Sequence, residues 1–278
     1  MDQYSEIVFE FLSNEQKEIV IALLSEMNFE GFEEEGDLLK AYIPSKIYDE
    51  DAMKNFSNEL GISYSVSTID ERNWNELWES NFEPVVINHP AHNSPWIAVR
   101  AAFHKPAKGV DHEIIITPKM SFGTGHHATT LLMIKMMSEV DFKGKTVLDY
   151  GTGTGILAII ADKLGASKIV AVDNDPKSIA NAADNFRLNR CKRIELRQAS
   201  IADGTGRYNI ILCNIIKMVL INNLSFFCQQ LAPGSNILVS GILQSDEPEV
   251  LDEAAKNNLS LTTQIKHDNW VGIRFDHE

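Results

Sequence analysis

Val147-Leu148-Asp149-Tyr150-Gly151-Thr152-Gly153-Thr154-Gly155, running straight into Ile156-Leu157-Ala158-Ile159-Ile160, decides the fold. The apolar stretch KTVLDYG over 145–151 reads as a buried strand, and ILAIIADKLGA over 156–166 reads as a helix. Alternate glycines join them. Without a Cβ, glycine turns where other residues cannot and lets a ligand approach the backbone closely. The spacing is GxGxG, not the GxGxxG of dinucleotide-binding loops. No Lys-Ser/Thr pair follows, so a phosphate-binding P-loop is excluded. Asp149, two residues before Gly151, is poorly suited to a pyrophosphate and well suited to a cationic ligand.

The pattern repeats outward from this junction. SKIVAVDND (167–175) reads as a strand and PKSIANAADNFRLN (176–189) as a helix, with Pro176 in its first turn, where its missing N–H costs little. RIELRQAS (193–200), YNIILCN (208–214) and SNILVSGIL (235–243) are further strands, with a helix over 218–232. A helix near 246–257 and two closing strands, LTTQIKHD and WVGIRFD, finish the chain. Alternating β and α elements predict an α/β, doubly wound, Rossmann-like sheet of seven strands. The last two strands, with no helix between them, predict an antiparallel edge.

Three places in this pattern carry chemistry. Asp173 ends the second strand, 22 residues after Gly151, where an acid in such folds hydrogen-bonds both hydroxyls of a ribose. Asp175 directly precedes Pro176 and reads instead as a helix cap. An acid-flanked GxGxG, with Gly151 and Gly153 in the loop, and a ribose acid together read as an S-adenosylmethionine site. Asn214 sits at the carboxyl end of its strand, where open sheets bind ligands, and also reads as a helix cap. Its neighbours Ile215-Ile216-Lys217 lack the Pro-Pro-aromatic of amino methyltransferases that act on planar amines, which argues against a base-flipping enzyme. Upstream, Ser121-Phe122-Gly123-Thr124-Gly125-His126-His127-Ala128-Thr129-Thr130 precedes a helix over 128–139. Glycines beside Phe122 suit a wall or lid over a ligand, and Thr129 or Thr130 can present a hydroxyl. The two histidines lack a third ligand at a recognisable spacing, so no metal is expected.

The first quarter of the chain is different. Residues 4–11 read as a strand, 14–28 as a helix, 29–35 and 38–43 as strands around Glu35-Gly36-Asp37, 49–60 as a helix stopping at Gly61, and 62–69 as a strand. This β-α-β-β-α-β order is that of a small α+β, ferredoxin-like domain. Residues 70–84, with Trp74 and Trp78 one turn apart, read as a helical linker, and 85–117 as short strands. The expected domains are thus 1–69, 70–84 and 85–278.

The chain has 278 residues, 44% hydrophobic and 23% charged, which excludes a disordered protein. No apolar run approaches the ~18 residues of a membrane helix, and the N-terminus lacks a signal peptide's basic start and apolar core. Three cysteines without a CxxC pair argue against a disulfide framework. A cytoplasmic protein is expected, with no membrane partner. The net charge is −14; residues 1–70 hold 16 acids and 4 lysines, a net of −12. Such a field repels free nucleic acid and attracts a basic partner; the plainer reading is a solubilising surface.

SFGTGHHATT, VLDYGTGTGILAI, AVDNDP, CNII and VSGIL, in this order and spacing, resemble the bacterial ribosomal protein methyltransferase A family. Its members methylate large-subunit ribosomal protein eleven. The N-terminal module and the Trp74/Trp78 linker also fit, so the resemblance covers nearly the whole chain. It implies a class I methyltransferase domain using S-adenosylmethionine, and cofactor contacts at Thr130, Gly151, Asp173 and Asn214. It implies methyl transfer to amino groups of a basic ribosomal protein, on lysine side chains and the N-terminal amine, with residues 1–69 as the recognition domain. The family usually has Thr-His-Pro-Thr-Thr where this chain has His126-His127-Ala128-Thr129-Thr130, and Asn-Ile-Leu-Ala where it has Asn214-Ile215-Ile216-Lys217. Lys217 places a cation near the expected target entrance. No residue is named as a catalytic base. The alternatives are a methyltransferase acting on RNA or a small molecule, and a non-catalytic cofactor-binding regulator. An RNA enzyme would show a basic face, and residues 1–70 are the reverse. A monomer without direct nucleic-acid contact is expected.

Overall fold

The structure is a computed structural model. It describes residues 3–10, 16–17, 20–21, 23–24, 27–29, 31–36, 38–69, 82–117, 123–199 and 207–277. The chain divides into two compact units, Met1–Ser80 and Asn81–Glu278.

The first unit contains strands β1 (Tyr4–Phe9), β2 (Gly31–Glu35), β3 (Leu38–Pro44) and β4 (Tyr64–Ile69), with helix α1 (Glu50–Leu60) before β4. Residues 16, 17, 20, 21, 23 and 24 are helical, as the apolar spacing over 14–28 predicts. The sheet order is β2-β3-β1-β4, with every pairing antiparallel. That is the ferredoxin-like arrangement expected from the element order. Ile7 and Phe9 alternate with outward residues and bury against Val20, Leu24, Met53 and Phe56. Asp49 caps α1 by accepting from the amides of Asp51 and Ala52, and Gly61 ends it in the left-handed conformation at φ 64°. Most of the predicted linker, residues 70–81 with Trp74 and Trp78, lies outside the described residues.

The second unit opens with a three-stranded sheet of β5 (Val85–Asn88), β6 (Pro95–Arg100) and β7 (His112–Ile115). Helix α2 (Ala128–Met137) follows. The large sheet is built from β8 (Thr146–Tyr150), β9 (Lys168–Asp173), β10 (Ile194–Gln198), β11 (Tyr208–Asn214), β12 (Leu231–Leu243), β13 (Leu259–His267) and β14 (Trp270–His277). Its order is β10-β9-β8-β11-β12-β14-β13. β8 to β12 pair in parallel, and β14 runs antiparallel to both β12 and β13, which is the predicted edge.

Helices α3 (Ile156–Lys163), α4 (Pro176–Leu188), α5 (Lys217–Gln230) and α6 (Glu247–Lys256) complete the unit. Alternation within each strand feeds two cores. Val147, Ile169 and Leu212 join residues of α2, α3, α4 and the small sheet in one. Leu148, Tyr150, Val170 and Val172 join Leu220, Leu224 and Phe227 of α5 and Val250 and Ala254 of α6 in the other. A sheet covered on both faces is what near-continuous apolar strands require. Two boundaries differ from the sequence reading. β12 begins at Leu231, because Tyr208 pairs with it before a register shift. A 3-10 turn, Gln244–Asp246, precedes α6.

Candidate cofactor site

β8 lies between β9 and β11, so the strand order reverses around it. Ligands of open α/β sheets bind at the carboxyl ends of strands at such a switch point. Gly151, Asp173 and Asn214 come from those ends.

The loop after β8 is built from backbone bonds. The amides of Gly151 and Thr152 both donate to the Val172 carbonyl, at 2.8 and 2.9 Å. Gly151, Gly153 and Gly155 have φ of 73°, 55° and 82°, a region that costs other residues roughly 1–2 kcal/mol. The Gly153 amide donates to Asp173 Oδ2 at 2.9 Å, and the Asp175 amide to Asp173 Oδ1 at 3.0 Å. Each carboxylate oxygen keeps a further lone pair, so Asp173 can accept from two hydroxyls as well. Asp175 is the cap: it accepts from the amides of Lys177 and Ser178 at 3.0 Å each, with Pro176 opening α4. The structure thus separates the two acids by role.

Asp149 is turned into the protein. It is 1% exposed, and its Oδ2 accepts from Thr152 Oγ1 at 2.6 Å and from the Ala158 amide at 3.1 Å. Burial pushes its carboxyl up to about 7, against the pull of those two donors. It therefore supports the loop and the first turn of α3.

Thr129 and Thr130 also part company. His127 caps α2; its Nδ1 lies 2.8 Å from Thr129 Oγ1 and accepts from the Thr129 amide at 3.3 Å. Thr130 is fully buried and its Oγ1 has no hydrogen-bond partner among the described residues. The same is true of Asn214 Oδ1, a buried atom without a partner. Asn214 is not the helix cap; Ile216 takes that place, without a side-chain bond. A buried polar atom left unpaired costs about 1–3 kcal/mol, so Thr130 and Asn214 fit residues awaiting polar groups of a ligand.

Sequence reasoning missed several supports. Thr154 Oγ1 donates to the Gly123 carbonyl, joining the FGTG segment to the glycine loop. Asn185 is fully buried; its Nδ2 donates to the Thr154 carbonyl at 2.8 Å and its Oδ1 accepts from the Thr117 amide at 2.8 Å. Its place on a mid-helix turn gave no local signal of this. Ile215 fills the space that a Cβ on Gly151 would need, at 2.5 Å from its Cγ2. The partners of Lys217, expected as a cation near the target entrance, also carry no local signal. Its Nζ pairs with Asp246 Oδ1 at 2.9 Å and Glu249 Oε2 at 2.8 Å. Phe122 lies outside the described residues.

This sheet, its glycine loop, and the acid and asparagine at the strand ends define a class I, S-adenosylmethionine-dependent methyltransferase. The comparisons then narrow the class. The family described as ribosomal protein L11 methyltransferase (PrmA) matches residues 7–278, and the chain belongs to it. The ribosomal protein L11 methyltransferase of Phocaeicola vulgatus is 36% identical over 266 residues, covering 93% of this chain and 92% of that one. That of Chlorobaculum parvum is 34% identical over 278 residues, covering 96% and 94%. Among solved structures, the ribosomal protein L11 methylase of Lactobacillus delbrueckii subsp. bulgaricus aligns at TM-score 0.63 with 29% identity, over 69% of this chain and 98% of that chain. The M. jannaschii tRNA m1G37 methyltransferase aligns at TM-score 0.50 with 14% identity, a likeness of fold alone.

Proposed function

We propose that this chain transfers methyl groups from S-adenosylmethionine to amino groups of ribosomal protein L11, on lysine side chains and the N-terminal amine. The family match over residues 7–278 carries this reading. When bound, the cofactor supplies a methyl group on a sulfonium, whose transfer leaves a neutral thioether and calls for no general acid.

The chain's own residues then bind and align. Asp173 accepts from ribose hydroxyls, with Gly153 holding its carboxylate in place. Thr130 Oγ1 and Asn214 Oδ1, both buried and unpaired, meet polar groups of the cofactor. Gly151 and Gly153 form the loop against which the cofactor lies. The nucleophile must be a neutral amine. A lysine of pKa ~10.4 costs roughly 4–5 kcal/mol to deprotonate at pH 7, and desolvation lowers that cost. Alignment and water exclusion supply the rest of the catalysis, and the amine's proton goes to solvent.

The acidic first unit is the recognition element in this reading. It holds most of the chain's excess negative charge, which complements a basic ribosomal protein. The protein works as a cytoplasmic monomer without direct nucleic-acid contact. The test is incubation of methyl-labelled cofactor with separated large-subunit ribosomal proteins and, in parallel, with large-subunit ribosomal RNA, followed by mass spectrometry of the labelled species. Label on L11 supports the reading; label on RNA alone would replace it with the RNA alternative.

A further inference from the structure

The segment that carries Asn214 is clasped on two sides. On one side is Ile215. Its amide donates to the Ser240 carbonyl at 3.2 Å, its carbonyl occupies the space a Cβ on Gly241 would take, and its Cγ2 fills the space beside Gly151. On the other side is Lys217, whose Nζ donates to Asp246 Oδ1 and Glu249 Oε2 at 2.9 and 2.8 Å. These acids flank the start of α6, so the ion pairs join the first residue of α5 to a different element.

Lys217 is an unexpected residue at this place. A cation at the first position of a helix opposes the helix dipole, by about 0.3–1 kcal/mol. The N-cap before it, Ile216, offers no side-chain bond to the free amides. Two carboxylates more than offset one ammonium; the Lys217 and Asp246 side chains are 24% and 28% exposed, so solvent screens that pair less than the pair to Glu249, which is 59% exposed. Its hydrogen bonds to Glu249 and Asp246 raise its pKa, which keeps it charged at neutral pH. Asn214 Oδ1 meanwhile has no partner among the described residues to aim it. Its direction follows from the backbone it hangs on.

We propose that Lys217 is a positioning residue, whose ion pairs with Asp246 and Glu249 hold the 214–218 segment so that Asn214 meets the bound cofactor in a fixed orientation. This rests on the reading of Asn214 as a cofactor contact.

The test uses the full chain and three variants: Lys217→Met, Lys217→Arg, and the pair Asp246→Asn with Glu249→Gln. S-adenosylmethionine affinity is measured by calorimetry, amide exchange over 215–220 by mass spectrometry, and kcat and KM on L11 by methyl transfer. Lys217→Met is expected to lower cofactor affinity and kcat by roughly tenfold while KM for L11 stays put, and to speed local exchange. The double amide variant should behave alike, and Lys217→Arg should recover to within about twofold, since arginine also reaches two carboxylates. Unchanged cofactor affinity in a folded Lys217→Met protein overturns the proposal; if that variant does not fold, unchanged affinity in the double amide variant does so. Should wild-type protein fail to methylate L11 while Lys217→Met still loses cofactor affinity, the target reading falls and the positioning role stands.

Discussion

The amide of Gly153 donates to Asp173 Oδ2 at 2.9 Å, so the glycine loop and the acid that ends β9 form one unit and not two independent motifs. Asp173 Oδ1 accepts in turn from the Asp175 amide. Asp173→Ala is therefore expected to weaken S-adenosylmethionine binding by about 1.5–3 kcal/mol and to lower the melting temperature, because two amides lose their acceptor. Calorimetry that returned wild-type affinity would remove Asp173 from the site. NAD, offered in the same experiment, should not bind.

Thr130 gives a prediction in which stability and binding move in opposite directions. Its hydroxyl is buried without a partner, a cost borne by the free protein. Thr130→Val keeps the shape and removes that hydroxyl. The free variant should match or exceed wild-type stability in urea, by up to about 1 kcal/mol, while cofactor affinity falls. A variant that is less stable and binds as well as wild type would show that the hydroxyl has a protein partner after all.

Much of this was legible locally. Asp175-Pro176 announced the start of α4, and Gly61 the end of α1, because caps are short-range devices. β-α alternation announced a parallel sheet, and the helix-free closing strands announced its antiparallel edge. What stayed hidden depends on long-range partners. Lys217 meets acids 29 and 32 residues away, so its sequence neighbourhood carries no sign of the tether that the fold makes. Asn214 looked like a helix cap because it precedes α5, yet the cap falls at Ile216, since β11 keeps its ladder with β12 through Asn214. Which of two adjacent threonines bears a spare hydroxyl was decided by the His127 ring, a contact that spacing alone does not reveal.

Gly151 was read as a place of close approach, and the structure shows a neighbour within the chain: the Ile215 Cγ2 atom. Gly151→Ala should thus lose stability from two sources, the strain of φ 73° and the contact with Ile215. Adding Ile215→Ala, which removes Cγ2, should relieve the contact part and leave the backbone part. Thermal melts of the two single variants and the double variant separate these; additive losses would mean that Gly151 and Ile215 do not touch.

Asp149 predicts a pH dependence. Its carboxyl is pushed up to about 7 by burial, so between its ordinary value near 4 and that point the folded protein binds a proton that the unfolded chain has released. Stability from this group is full below about pH 4 and is lost as pH rises through about 7. Asp149→Asn carries no titrating group there. Relative to that variant, the wild-type urea midpoint should fall between about pH 5 and about pH 8. A wild-type midpoint that showed no fall over this interval relative to the variant would mean that the carboxylate is held ionised in the fold.

The last prediction concerns the acidic first unit. Residues 1–70 carry a net −12 of the chain's −14, and Glu10, Glu33 and Asp51 are exposed acids within it. If this unit captures a basic ribosomal protein, its attraction acts through solvent and must obey screening. The Debye length falls from ~10 Å at 0.1 M salt to ~3 Å at 1 M, so kcat/KM on L11 should fall steeply with salt. Cofactor affinity, set within the second unit by buried atoms and backbone amides, should change little. Neutralising Glu10, Glu33 and Asp51 together, as Gln, Gln and Asn, should lower kcat/KM at low salt and flatten its salt dependence, because the lost charges no longer contribute to encounter. The effect belongs in KM and not in kcat, since none of these side chains lies in the unit that holds the cofactor site. Equal salt slopes for wild type and the neutralised variant would show that these charges keep the protein soluble and play no part in capturing its target.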